Sequence, residues 1–375
     1  MKENPLLKIQ QFGQSVWLDS IDRGIIMSGK LKKLIDEDGL RGVTSNPEIF
    51  KKAISEGAEY EDDIRAMAQK NKSTPEIYQA LTVDDIQRTA DLFRPLFDSS
   101  GRQHGFVSLE VNPHLARDIE GTLEEARRLW SAVDRPNVFI KVPGTEEGLP
   151  CIRQLISEGI NINVTLLFGL PRYREVAEAF IAGMEARSRK NQPLERVASV
   201  ASFFLSRIDV LVDPQLEKII ESGGAKADQA RRLHGQLAIA SARQAYQIYK
   251  EIFKGPRFRS LEQKGARPQR VLWASTSTKN PDYSDVKYVE ALIGPETVNT
   301  MPMKTIDAFR DHGNPAPRLE EDLEKAADMF ATLRELDIDI DEQTRQLEEE
   351  GIRKFNEPYD SLMATIEKKG SEHQN

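Results

Sequence analysis

Eight short runs rich in β-branched and aromatic residues, separated by stretches of helical periodicity, limit the folds open to this chain more than any other feature. The runs lie at 15–19 (SVWLD), 40–44 (LRGVT), 106–111 (FVSLEV), 138–142 (VFIKV), 160–167 (core INVTLL), 197–203 (VASVASF), 270–275 (RVLWAS) and 298–301 (VNTM). Amphipathic patterns fall between them at 123–133, 149–157, 172–189, 227–253 and 286–293. Strands alternating with helices pair in parallel, because each crossover returns the chain to the same edge direction. Eight such units predict an α/β fold, a single closed (β/α)8 TIM barrel rather than an open doubly wound sheet. Two long connections, 46–105 and 213–269, carry charged helical sequence and read as inserted helices. Residues 318–375 show no strand pattern and read as a C-terminal helical extension packed on the barrel. In it, Phe355, Tyr359, Leu362, Met363 and Ile366 share one face. The charge runs at 348–350 and 368–369 read as solvated helix faces, and 370–375 as a disordered tail. With no internal repeat and no low-complexity linker, 1–375 reads as one domain.

Composition removes several function classes. Sixty acidic residues against 52 basic leave a net charge of −8, the wrong sign for a nucleic-acid-binding protein. No apolar run reaches membrane-spanning length, and the first residues lack a signal peptide's layout. No membrane partner and a cytoplasmic location are therefore expected. Cys151 is the one cysteine, so an intramolecular disulfide and a cysteine-rich metal site are both impossible. His104, His114, His234, His312 and His373 form no HxxxH pair, so no metal centre is expected.

In a barrel of this kind, chemistry gathers at the C-terminal ends of the strands. Polar residues are frequent there: Asp19, Thr44 with Asn46, Glu110 with Asn112, Lys141, Asn163 with Thr165, Ser202, and Ser275 through Lys279. Lys141 is the sharpest of them. It sits inside VFIKVPG, on the same strand face as Phe139 and Pro143, and lysine is almost never fully buried without a reason. Two readings stay open: it pairs with a carboxylate such as Glu110 or reaches solvent, or it is a Schiff-base nucleophile. An ordinary lysine is protonated at pH 7, and desolvation or a neighbouring cation favours the reactive neutral amine. Asp19 and Glu110 are the acid–base candidates, since Schiff-base chemistry needs several proton transfers and one lysine does not occupy two carboxylates. Asp22 and Asp118 read as solvated. Ser275–Lys279 follows the seventh strand, the usual phosphate position in barrels, and Arg207 after the sixth strand adds a second cation.

Two segments imitate other sites. Residues 24–30 (GIIMSGK) carry the outline of a P-loop, but Leu31 stands where a magnesium-binding Ser or Thr is required, and an ordinary helix is expected. Residues 42–47 lack the glycine spacing of a dinucleotide fingerprint. Cys151 has no adjacent histidine and reads as an inert thiol.

Together these segments resemble transaldolase. The resemblance is carried by WLDSIDR (17–23), GVTSNPEIF (42–50), VSLEVNP (107–113), IKVPGTEEG (140–148), INVTLLF (162–168), VASVASFFLSRID (197–209) and LWASTSTKNP (272–281), about seven of the eight strands in order. The length and the inserted helices resemble the family's long bacterial subgroup. The resemblance implies a class I aldolase-type barrel in the pentose phosphate pathway. It would move a dihydroxyacetone unit from sedoheptulose 7-phosphate to glyceraldehyde 3-phosphate, giving erythrose 4-phosphate and fructose 6-phosphate. It further implies that Lys141 attacks the C2 ketone, that Glu110 and Thr165 hold a proton-shuttling water, and that Asp19 takes the C4 hydroxyl proton. Asn46, Asn163 and Ser202 would bind dihydroxyacetone hydroxyls, with Thr44 close by and Phe204 as a wall. Arg207 and Ser275 match phosphate positions. Much of the family has an arginine where this chain reads Thr276-Ser277-Thr278-Lys279, so Lys279 takes that cation role here. No cofactor is implied, because the protonated imine is the electron sink; the partners implied are sugar phosphates, for a monomer or homodimer. An aldolase releasing free dihydroxyacetone and a non-catalytic barrel are the alternatives. The length and Glu110 favour the transferase over the first, and the presence of Lys141, Asp19 and Glu110 disfavours the second.

Overall fold

The computed structural model describes residues 4–371. The eight strands are β1 (Gln14–Asp19), β2 (Gly42–Thr44), β3 (Phe106–Glu110), β4 (Val138–Pro143), β5 (Ile162–Leu167), β6 (Ser199–Phe204), β7 (Arg270–Ala274) and β8 (Thr297–Met301). They pair in sequence order, all parallel, and β1 closes on β8 from Gln14↔Thr297 to Leu18↔Met301. The chain therefore forms the expected (β/α)8 barrel. Because side chains alternate along a strand, the residues two positions before Asp19 and Lys141 lie one layer beneath them. These are Trp17 and Phe139, buried and stacked at 6.0 Å, with Phe106 stacked on Phe139 at 4.4 Å. Aromatic rings thus fill the barrel under the catalytic candidates.

Both long connections are helical, as expected. Helices Pro47–Glu56, Glu61–Gln69 and Thr74–Ser99 lie between β2 and β3, and four helices between β6 and β7. The second insertion departs from its pattern in one place. Residues 227–253 form two helices, Ala225–Leu233 and Leu237–Phe253, rather than one. Gly235 adopts φ +68, where a Cβ would lie 2.5 Å from the Tyr283 hydroxyl. Asp213 accepts from the Gly235 amide and Asp209 from that of Ala238. Carboxylates from a neighbouring helix thus take the amides that a continuous helix would have used, and no local pattern announces this. Residues 24–30 are helical as expected, in two pieces (Arg23–Met27 and Lys30–Glu37) parted at Gly29. Cys151 is fully buried and its thiol is pushed up to about 11 by desolvation.

The C-terminal segment carries helices Leu323–Glu335 and Ile340–Ser371. Gly370 and Ser371 belong to the last helix, contrary to a tail beginning at 370; residues 372–375, with His373, lie outside the described residues. The charge runs are also less solvated than expected. Glu348 is held 3.4 Å from Arg172, Glu349 pairs with Arg117, and Lys369 donates to the carbonyls of Ile54 and Ser55. They fasten the last helix to the barrel. Among the described residues no helix is long and apolar enough to cross a membrane.

Candidate active site

Parallel pairing puts every strand's C-terminal end at one mouth, and register decides which side chains meet there. Glu110↔Lys141 and Lys141↔Asn163 are register partners across β3, β4 and β5, as are Asp19↔Thr44 and Pro143↔Thr165. The predicted residues of the first five strands therefore form one belt.

Lys141 is 4% exposed. Its Nζ donates to the Ser45 carbonyl at 3.1 Å and lies 3.3 Å from Glu110 Oε2. The pair approaches without hydrogen-bond alignment: both Glu110 oxygens, like the Thr165 hydroxyl, are buried with no protein hydrogen-bond partner. Burial pushes the Glu110 carboxyl up to about 7; Lys141 opposes that rise and Asp19 adds to it. A carboxyl near neutrality can hold or release a proton at working pH. Asp19 is also raised, by desolvation first, against the opposing pull of Lys141 and a 2.7 Å bond from the Thr44 hydroxyl. Thr44 in turn meets Thr300 Oγ1 at 2.7 Å.

Asn163 is fully buried and fixed on both sides, donating to Ser108 Oγ at 3.0 Å and accepting from Ser202 Oγ at 2.7 Å. Asn46 also serves its own helix. Its Oδ1 caps Pro47–Glu56 by accepting from the Ile49 amide at 3.0 Å. On β5, Leu166 is held at φ +59 within a register shift between Val164 and Leu167. A non-glycine residue there carries strain, and bulges of this kind re-aim side chains beside active sites. The strand end carrying Thr165 is the one redirected.

The cations sit on the other side of the mouth. Arg207 lies 5.8 Å from the Phe204 ring, with Nη1 buried and unpartnered. Its pKa is lowered by desolvation, against the attraction of Glu350. Lys279 is exposed, and its Nζ donates to Ser277 Oγ at 3.0 Å. Desolvation and the charge of Arg207 lower its pKa, while Asp19 raises it. Ser275 takes φ +55 and its hydroxyl meets Ser206 at 2.8 Å. Lys279 thus lies within electrostatic reach of both Arg207 and Asp19.

The C-terminal helix covers the mouth. Phe355 places its ring 5.5 Å from Lys141 Nζ and 6.5 Å from Phe204. Gly351 permits the approach, since a Cβ there would lie 2.9 Å from Leu166 Cδ2.

Sequence reasoning missed three contributors. Ser45 acts through its carbonyl, which no side-chain pattern reveals. Ser108 is a small residue inside an apolar strand and gave no signal. Thr300 was findable, as a polar residue at the end of the eighth strand.

Fold and site together define a (β/α)8 barrel enzyme with a buried lysine–carboxylate centre at the C-terminal mouth. The profile of the family "Transaldolase/Fructose-6-phosphate aldolase" matches residues 16–366. The chain is 48% identical over 376 residues to a transaldolase of Trichodesmium erythraeum, covering 98% of each chain. It is 45% identical over 358 residues to one of Thiobacillus denitrificans, and 44% over 364 to one of Mycobacterium bovis. The chain belongs to the transaldolase/fructose-6-phosphate aldolase family, and is a transferase of the transaldolase kind.

Proposed function

We propose that the enzyme transfers dihydroxyacetone from sedoheptulose 7-phosphate to glyceraldehyde 3-phosphate through a Schiff base on Lys141. The observation that carries this reading is the buried Lys141 amine held between the Ser45 carbonyl and Glu110 under the Phe355 ring.

The amine attacks the ketose C2 carbonyl once its proton has passed to a base. Glu110 is the acceptor within reach, and its pKa near 7 lets it return the proton to the departing hydroxyl as water leaves and the iminium forms. Its unpartnered oxygens and the Thr165 hydroxyl suit a relaying water. Asp19 then takes the C4 hydroxyl proton, the C3–C4 bond breaks, and its electrons move to the iminium nitrogen as the aldehyde leaves. The enamine stays on Lys141, attacks the second aldehyde, and hydrolysis of the new imine releases the product ketose. Asn46, Asn163 and Ser202 orient the three-carbon unit, Thr44 holds Asp19, and Phe204 with Phe355 keeps water from the enamine. Arg207, Ser275 and Lys279 hold the phosphate. No cofactor enters this scheme; the protonated imine is its electron sink. We place the enzyme in the cytoplasm as one functional unit, a monomer or homodimer acting on sugar phosphates without nucleic-acid or membrane partners.

Borohydride reduction in the presence of fructose 6-phosphate, followed by mass spectrometry, tests the reading. A three-carbon adduct on Lys141 supports it, and an adduct elsewhere or none refutes it.

A further inference from the structure

At the end of the barrel opposite Lys141, a cavity of about 580 Å³ opens among the N-terminal ends of the strands. Four arginines line it: Arg41, Arg102, Arg267 and Arg270. We infer that this cavity is a second ligand site, built for a small phosphorylated organic molecule.

The four guanidiniums are short of partners. Among the described residues none has a carboxylate in ion-pair contact. Arg41 gives two donors to the Gln10 side-chain oxygen, and Arg267 gives two to the carbonyls of Arg102 and Glu195. Arg270 gives one to Ser15 Oγ and one to the Gln103 carbonyl. Each of these three therefore uses two of the five N–H donors a guanidinium carries, and the Arg102 side chain uses none. The Arg267 Nε is buried without any partner. A purely structural clamp accounts for the bonds to backbone carbonyls but not for the donors left over.

The field inside the cavity is correspondingly positive. Burial and then Arg267 lower the pKa of Arg270, to about 10, against Tyr249 and Glu296, which raise it. Burial, Arg270 and Arg41 bring His104 down to about 4. Glu296 is the acid in the lining, and its carboxylate is engaged by Lys254 at 2.7 Å. Glu195 favours the Arg267 charge from farther off. An anion with several oxygens answers this arrangement, because guanidinium forks match phosphate oxygens two at a time.

Size and walls narrow the class. The volume is that of a small-molecule pocket, and the stacked rings of Phe106 and Phe139 supply an apolar wall. A long polyanion would meet a protein of net charge −8 beyond the cavity. The site is separate from the proposed phosphate contacts of Arg207, Ser275 and Lys279, which belong to the strands' other ends, and it does not depend on them.

Calorimetric titration of the full-length protein with glucose 6-phosphate and with inorganic phosphate tests this. An Arg207→Ala background weakens any binding at the C-terminal mouth. One equivalent of glucose 6-phosphate should bind, more tightly than inorganic phosphate because of the apolar wall. Arg102→Gln should weaken it about tenfold or more, and Arg41→Gln likewise. Arg102 has no side-chain bond to lose, so its variant should unfold at the parent temperature and, in the otherwise wild-type chain, retain full turnover. Absence of binding, binding that neither substitution changes, or inorganic phosphate binding at least as tightly as the ester would each overturn the inference.

Discussion

Lys141 and the two carboxylates near it make separable predictions, because each is assigned a different proton or bond. Lys141→Ala should abolish both borohydride trapping and turnover while the far-ultraviolet circular dichroism stays that of the parent. Asp19→Asn should retain trapping with fructose 6-phosphate but lose carbon–carbon cleavage, since the proton it removes belongs to the later step. If cleavage persists at the parental rate, Asp19 has been given the wrong role. Glu110 adds a pH signature. Burial raises its carboxyl to about 7, so above that value it is ionised and can accept the Lys141 proton that it later returns to the leaving hydroxyl, and below it cannot. Imine formation should therefore slow as pH falls through about 7. Glu110→Gln should remove that inflection and lower the trapping rate by about 10²–10⁴, the usual worth of general acid–base help. On the other side of the mouth, Arg207→Ala should raise KM for glyceraldehyde 3-phosphate roughly ten- to a hundredfold, the equivalent of one hydrogen bond to a charged group. Free glyceraldehyde, which never made the contact, should show little change, and an equal loss with both acceptors would place Arg207 elsewhere. The residue types in this centre were legible as polar side chains at strand ends. The tie from Lys141 to the Ser45 carbonyl was not, because a backbone oxygen is common to every residue and only folding aims it.

Among the elements, the last helix is the one that lies over the proposed centre. It reaches the mouth because Gly351 lies flat against Leu166 and Phe355 closes over Lys141. Phe355→Ala removes a side chain that is 6% exposed and should cost about 3 kcal/mol of stability, as for other buried phenylalanines. Its more telling effect should be chemical. Water admitted to the enamine should increase release of free dihydroxyacetone relative to transfer, measured as the ratio of the two products. An unchanged ratio would remove the helix from the water barrier. The helical face carrying Phe355, Tyr359, Leu362 and Ile366 was visible in the sequence as a period, but a period does not say what the face covers. The same limit explains the break at Gly235: the repeat runs through it, and the carboxylates of Asp209 and Asp213 that divide the helix come from over twenty residues away.

For the whole molecule, closure of the barrel joins the first strands to the last, and an ion pair beside that seam should report on it. Arg310, after β8, forks onto Asp38, before β2, at 2.9 and 2.8 Å, and Asn4 adds a bond at 2.8 Å. Burial alone would raise the Asp38 carboxyl, but the bonds from Arg310 and Asn4 outweigh it and hold the pKa below its ordinary value. The native state therefore favours the ionised form. The resulting stability is fully present above the unfolded carboxyl's ordinary range and is lost as pH falls through the lowered native value. Asp38→Asn should cost about 1 kcal/mol at pH 7, modest because Arg310 is partly exposed. The difference should close in strong acid; a gap that persists there would mean the residue acts through packing. The sequence by itself determined the eight-strand parallel order, the strand limits to within about two residues, and the polar types at the C-terminal ends. Those follow from periodicity and local chemistry, which neighbouring residues carry among themselves. Tertiary structure alone decided which polar ends touch, how far burial moves Glu110, where the last helix lies, and that arginines from three distant segments share one cavity. Each of these depends on distances between residues far apart in the chain, and on the water their packing excludes.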